Sequence, residues 1–427
     1  MNDINGPFYY DGYYHIFYQY EPYVDYWTPG MHWGHARSKD LIYWEDLPIG
    51  LWPSVEMGER GCFSGCTTIN KSGKPMIFYT SVDHPVQQQW AAFPVDENLI
   101  EWKKYPANPV LTTEANKGLD FHDWRDPCIF VHEGVYYMVL GGNLNKRGTL
   151  TIYRAANEEL SKWEYLGILF QNPDPEVFNI ECPNFFQLGN KWVLVCDTKG
   201  RAGSFVGTFN TQNFTFTPES QGWIDHSWQY YATNFLKDPQ GRIVMWAWVK
   251  GFAENQGWNG CLSLPRVLSL RQDNTLSIDP LPELQILRSN KHSESNIELR
   301  NSSYTVKGVE GTSLEIIAKF VSHDAANMGL RLLTDDGTVA MTMKYGANII
   351  DVDGTTAPLK LAESGELTIH VYLDKSLVEV YLNDGRVCIT RVIWPYYKQG
   401  NLKIQIFAEG GYAVAKTIDV WQINSIW

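Results

Sequence analysis

At 427 residues the chain is long enough for two domains, each with its own core. Its formal net charge of −13 argues against nucleic-acid and anionic-membrane partners, which need basic patches, and leaves a neutral substrate as the easier one to accommodate. Aromatic residues make up 14% of the chain, with 17 tryptophans; packing between sheets uses most rings of this kind, but a C–H-rich sugar face also stacks well on them.

The first 250 or so residues repeat one phrase five times. A polar or small residue opens each copy, a glycine follows eight or nine positions later, and a burst of aromatic and aliphatic residues comes next. The copies open at Asp3, Ser64, Asp126, Glu181 and Ala232, and their glycines are Gly12, Gly73, Gly134, Gly189 and Gly241. Each copy reads as a β-hairpin with its turn at the glycine. A third strand and a polar turn follow, ending on an aromatic that begins a fourth strand, as at Trp44, Trp102 and Trp163. A single sheet of this kind cannot bury both faces, and a repeat of roughly 50 to 60 residues predicts four-stranded blades around an axis. The expected fold is all-β: a five-bladed β-propeller over residues 1–288. First strands lie innermost in such a fold, so Asp3, Asp126 and Glu181 are expected to meet near the axis.

The pattern changes near residue 290. Residues 286–296 are polar and aperiodic and read as a linker. Beyond it strict alternation begins, as in Ser313–Phe320, Thr368–Leu373 and Leu377–Leu382, the last turning through Asn383-Asp384-Gly385 into a strand read as Val387–Trp394. Short strands at this density predict a C-terminal β-sandwich over residues 296–427, with no acid cluster and therefore an accessory role. The seven cysteines show no metal-ligand spacing, and mostly reduced thiols are expected.

Three converging acids fit glycosidic-bond chemistry. Retention needs one carboxylate to attack the anomeric carbon and a second, protonated, to donate to the leaving oxygen. Glu181 has no cation among its sequence neighbours, so burial is expected to raise its pKa and keep it protonated. Arg125 directly precedes Asp126 and would hold it ionised if the side chains meet, although neighbours on a strand point to opposite faces. Asp3 lies between Asn2 and Asn5, whose amides could fix its rotamer. On these grounds Asp3 or Asp126 is the base or nucleophile and Glu181 the acid. A turn-capping role for each acid, or a shared calcium ion, is the competing reading, and no Asp-x-Asp-x-Asp loop supports the ion.

Several motifs then resemble those of glycoside hydrolase family 32, the invertases, inulinases, levanases and fructosyltransferases. Residues 1–7, Met-Asn-Asp-Ile-Asn-Gly-Pro, look like that family's Trp-Met-Asn-Asp-Pro-Asn-Gly signature. Tyr18-Gln-Tyr-Glu-Pro22, Met31-His-Trp-Gly-His35, Phe63-Ser-Gly65, Trp124-Arg-Asp-Pro127 and Glu181-Cys-Pro183 follow in the family's order. The resemblance continues through Leu262-Ser-Leu-Pro-Arg266 and Leu377–Gly385. It implies a retaining β-fructofuranosidase that acts through a covalent fructosyl-enzyme, with Asp3 as nucleophile, Glu181 as acid/base and Asp126 as transition-state stabiliser. It also implies that Asn2, Gln19, Trp27, Phe63, Ser64 and Arg125 bind the fructosyl unit. No metal and no cofactor is implied. The alternatives are a fructosyltransferase with the same residues and a non-catalytic sugar-binding propeller.

The chain departs from the family pattern around the pocket mouth. Ile4 stands in place of proline, Glu21 in place of asparagine, the stretch from Trp27 to Met31 is one residue longer, and Asn179-Ile180 replaces aromatic residues before the acid/base. The chain also begins inside the first motif, which points to a truncated or unusual N-terminus. No signal peptide or bilayer-spanning run is visible, so the compartment is open and the reading leans to the cytoplasm.

Overall fold

A computed structural model of the protein describes residues 1–393 and 400–426. Trp394, read as the end of the strand that begins at Val387, lies outside the described residues. In the first unit, five antiparallel sheets follow one another along the chain. Their first strands are Ile4–Tyr10, Cys62–Ile69, Phe121–His132, Glu181–Leu188 and Tyr230–Lys237. These five strands neighbour one another in a closed cycle, first to second and so on, with the fifth returning to the first. The architecture is the expected five-bladed propeller; we number the blades I to V.

The predicted turns are where the chain reverses. Gly12, Gly73, Gly134, Gly189 and Gly241 all have φ between 61° and 84°, the left-handed region that a side chain disfavours. The bursts after them are the second strands, almost wholly buried in blades II, IV and V. Trp33, Trp90 and Trp124 are buried completely within the blades, each removing enough apolar area for roughly 4–6 kcal/mol of transfer free energy before conformational entropy is counted. Trp27, Trp52 and Trp258 remain about half exposed.

Every first strand carries the same irregularity, and Phe121–His132 has a second one between His122 and Arg125. In the shared one, three residues on the first strand span two on its partner, between Asn5 and Phe8, Cys62 and Gly65, Arg125 and Cys128, Glu181 and Asn184, and Tyr231 and Asn234. This is a β-bulge repeated once per blade. Counting from hairpin glycines aligned Asp126 with Glu181 and Ala232, whereas the strand pairing aligns Arg125 with Glu181 and Tyr231. The expectation that the three acids occupy one register is therefore corrected. The turn lengths differ between blades, and only the pairing reveals the true phase.

The second unit comprises Ile224–Gln229 and the chain from Ser277 onward. It is built on two long antiparallel strands, Arg288–Gly311 and Leu402–Ile423. The first half of the latter pairs with Asn327–Leu333 and the second half with Ser313–Ser322, so one strand serves both halves of the sandwich. It turns between them at Gly410 and Gly411, where φ is 65° and 150° and a Cβ on Gly411 would stand 2.4 Å from the Asp324 carbonyl oxygen. Aliphatic side chains such as Ile316, Leu330, Val371 and Ile406 fill the core. The linker reading of residues 286–296 is corrected by this arrangement. From Arg288 onward the segment is strand, and it is polar because most of its residues there are exposed or half-buried. Within the same unit Asp225 accepts from the Thr390 backbone N–H at 3.0 Å and from its hydroxyl at 2.7 Å, which fixes the short stretch Ile224–Gln229.

Candidate active site

Asp3 sits just before the first strand of blade I, where the Gln19 N–H donates to its carbonyl oxygen at 2.8 Å. Its carboxylate accepts from the Ser64 hydroxyl of blade II at 2.5 Å, and the Gln19 amide donates to the same hydroxyl at 2.9 Å. Asn2 holds the backbone instead, its side-chain oxygen accepting from the Asp3 N–H at 2.8 Å. The expected amide clamp on the Asp3 side chain is thus a serine from the next blade. Gln19, Ser64 and Asn2 are all buried, and such a chain of donors leaves the carboxylate one orientation. Burial pushes the Asp3 pKa up to about 7; the Ser64 hydrogen bond opposes this, and the nearby Asp126 and Glu181 carboxyls add to it.

Arg125 and Glu181 occupy the equivalent pre-bulge positions of blades III and IV. The guanidinium donates to Glu181 Oε1 at 2.7 Å and stands 3.8 Å from Asp126 Oδ2. Two expectations fail here. Glu181 does have a cation, brought from the neighbouring blade, and its carboxyl is only partly buried. Asp126 meets Arg125, but burial outweighs that charge and the Asp126 pKa is raised. For Glu181 the sequence neighbours were the wrong ones, since its cation comes from another blade; for Asp126 the neighbour was the right one and burial outweighs it.

The bulge also supplies the backbone hydrogen bonds of the site. Asp126, Cys182 and Ala232, the first bulge residues of blades III to V, have φ of 63°, 47° and 51°. Their N–H groups point out of the ladder and need other acceptors. Asp126 N–H donates to Thr80 Oγ1 at 2.9 Å, Cys182 N–H to Asp126 Oδ2 at 2.8 Å and Ala232 N–H to Asp197 Oδ2 at 2.8 Å. Each acceptor belongs to the preceding blade. Backbone strain at these positions is thus tied to the carboxyls themselves.

Four neighbours escaped the sequence reading. The Tyr231 hydroxyl donates to Glu181 Oε2 at 2.5 Å, and Asn179 Nδ2 donates to Oε1 at 3.3 Å. Asp197, opposite Glu181 in the pairing, is a buried fourth carboxyl whose pKa is raised well above the ordinary value, by burial first and then by Glu181. The Lys250 ammonium stacks 3.6 Å from the Tyr231 ring centroid. Tyr231 left no signal in the sequence: it shares the register of Arg125 and Glu181 only in the bulge phase, which the pairing reveals, and all three meet in one hydrogen-bonded group.

The remaining candidates form a mouth. Phe63 is half-buried, and the exposed Trp27 ring approaches it edge-on at 6.2 Å between centroids. Asn2, Gln19 and Trp27 line a cavity of about 640 Å³ together with Trp248 and Trp258 of blade V.

Carboxyls, an arginine and a ring-lined cavity lie at the inner strands of the propeller, and by its matches to known proteins the chain is a glycosidase. Residues 1–280 match the Glycosyl hydrolases family 32 N-terminal domain and residues 283–422 the Glycosyl hydrolases family 32 C terminal domain. The chain belongs to glycosyl hydrolase family 32. It is 30% identical to the sucrose-6-phosphate hydrolase of Zymomonas mobilis over 99% of this chain and 90% of that protein. It is also 30% identical to the levanase of Bacillus subtilis, covering 100% of this chain and 69% of that one. Its fold is similar to that of fructan 1-exohydrolase IIa from Cichorium intybus, with a TM-score of 0.89, 24% identity and coverage of 100% and 95% of the two chains.

Proposed function

We propose that the protein is a retaining β-fructofuranosidase that releases terminal fructose from sucrose or fructans. The convergence of Asp3, Asp126 and Glu181 carries this reading, and the levanase and sucrose-6-phosphate hydrolase relatives support a fructosyl substrate. Asp3 Oδ attacks C2 of the fructosyl unit as its bond to the leaving oxygen breaks, and Glu181 delivers a proton to that oxygen. Water then attacks C2 of the fructosyl-enzyme, Glu181 takes up its proton, and Asp3 leaves. Burial, with the neighbouring carboxyls adding to it, raises the pKa of Asp3 and Asp126 and so favours a proton held within the cluster for the first step. Asp126 and Arg125 hold fructose hydroxyls and stabilise the oxocarbenium-like transition state, while Asn2, Gln19, Trp27, Phe63 and Ser64 complete the fructosyl site. Catalysis belongs to the propeller, residues 1–288 in the sequence division, and the sandwich, residues 296–427, is accessory.

Replacing Asp3 with alanine is expected to lower fructose release from sucrose, inulin and levan by on the order of 10⁴-fold or more, with the fold unchanged by circular dichroism. A variant with wild-type turnover overturns the assignment. NMR of the first-formed fructose reads retention directly, and products at high sucrose concentration separate hydrolysis from transfer to a sugar.

A further inference from the structure

The cavity beside Asp3 is walled by two loops, residues 21–30 of blade I and 251–260 of blade V. They are joined: the Gly257 N–H donates to Asp25 Oδ2 at 3.0 Å. Within the first loop the Tyr23 N–H donates to Glu21 Oε1 at 3.3 Å, and the Thr28 hydroxyl donates to the other oxygen of Glu21, so both carboxylates are held in place at the wall. Tyr23, Tyr26, Trp27 and Trp258 leave much of their rings open to solvent. Among the described residues no lysine, arginine or histidine side chain lines the cavity, and the one ammonium in its lining, the Met1 N-terminus, donates to the Asn259 carbonyl oxygen at 3.0 Å. Outside that lining, Arg125 is engaged by Glu181, Asp123 and Asp126, and Lys250 interacts with Asp197, Asp3 and Glu181.

We propose that these two loops seat the leaving-group sugar and admit only an uncharged one, so that a substrate phosphorylated on that sugar is cleaved poorly. Rings stack on the C–H faces of neutral sugars. Glu21 and Asp25 put negative potential at the entrance, and a phosphate brought there meets repulsion on approach and in the complex. The inference rests on the fructosyl reading above, and it separates this chain from the relatives named for sucrose 6-phosphate.

The test compares kcat/KM of the full chain for sucrose, 1-kestose and sucrose 6-phosphate at low and at about 0.5 M salt, where screening extends only a few ångströms. Both neutral sugars are expected to be cleaved, with sucrose 6-phosphate at least about tenfold poorer at low salt and the gap narrowing as salt rises. Glu21→Gln with Asp25→Asn is expected to narrow it at low salt too. Should that variant fail to fold, the salt series on the unaltered chain still decides. Equal or preferred cleavage of sucrose 6-phosphate overturns the proposal, with Lys250 then the cation to suspect, and so does a gap that salt leaves unchanged, which is steric exclusion. Cleavage of none of the three sugars sinks the fructosyl reading itself, and the inference with it.

Discussion

The two units each bury a carboxyl, and they treat it in opposite ways. Glu315 in the sandwich has no exposed side-chain surface, and burial alone would raise its pKa. Arg288 reaches it with two donors at 2.6 Å and His370 with one at 2.7 Å, and together they hold the carboxyl down at about 2. Asp3 in the propeller is buried with only neutral donors, the Ser64 hydroxyl and, at 3.9 Å, the Cys182 thiol; burial first and the neighbouring carboxyls second take it up to about 7. A paired buried acid holds a sheet together. A crowded one stores repulsion, and that is the arrangement in which protons are exchanged near neutral pH.

The contrast can be broken most severely at Glu315. Glu315→Gln leaves Arg288 and His370 without their anion and is expected to destabilise the C-terminal unit by about 3 kcal/mol at neutral pH, read from urea unfolding. The folded pKa is depressed, so this stability is present above the ordinary glutamate range and is lost as pH falls toward about 2. A cost that does not shrink in acid would show that pairing is not its origin.

At Asp3 the sign reverses. The folded chain binds this proton more tightly than the unfolded one, so the contribution is full below the ordinary aspartate range and is lost as pH rises through about 7. Asp3→Asn, inactive, is expected to melt about 2–4 °C above the unaltered protein near pH 8 and level with it in mild acid, by calorimetry. A gain that is constant with pH would remove the raised Asp3 pKa as its cause. The smallest effect is expected at Asn179, which makes one long hydrogen bond to Glu181. Asn179→Ala should lower kcat on sucrose about two- to fivefold with KM little changed; an unaltered kcat would leave Arg125 and Tyr231 as the only groups named here that orient Glu181.

The blades were readable from the chain because their turns need glycine at positive φ and their second strands must be apolar. The acids were readable as a set because first strands share an axis. Their phase was not: the extra residue between Arg125 and Cys128, or between Glu181 and Asn184, leaves no mark in composition. The strand from Arg288 was misread as a linker for a related reason. Its pairing with the chain's last long strand is invisible locally, and its largely solvent-facing side chains look like a loop.

The sequence by itself determined the fold and the family resemblance, and it picked out three of the four carboxyls that cluster, since these follow from periodicity, turn chemistry and short motifs. Only the tertiary structure decided which groups touch those acids. Arg125 pairs with Glu181 on the next blade, Ser64 holds Asp3, and Asp197 caps the bulge beside Tyr231. Those contacts cross from one blade to the next, between residues that lie 35 to 61 positions apart, and the charge state of a buried carboxyl depends on its spatial neighbours, whatever lies beside it in sequence.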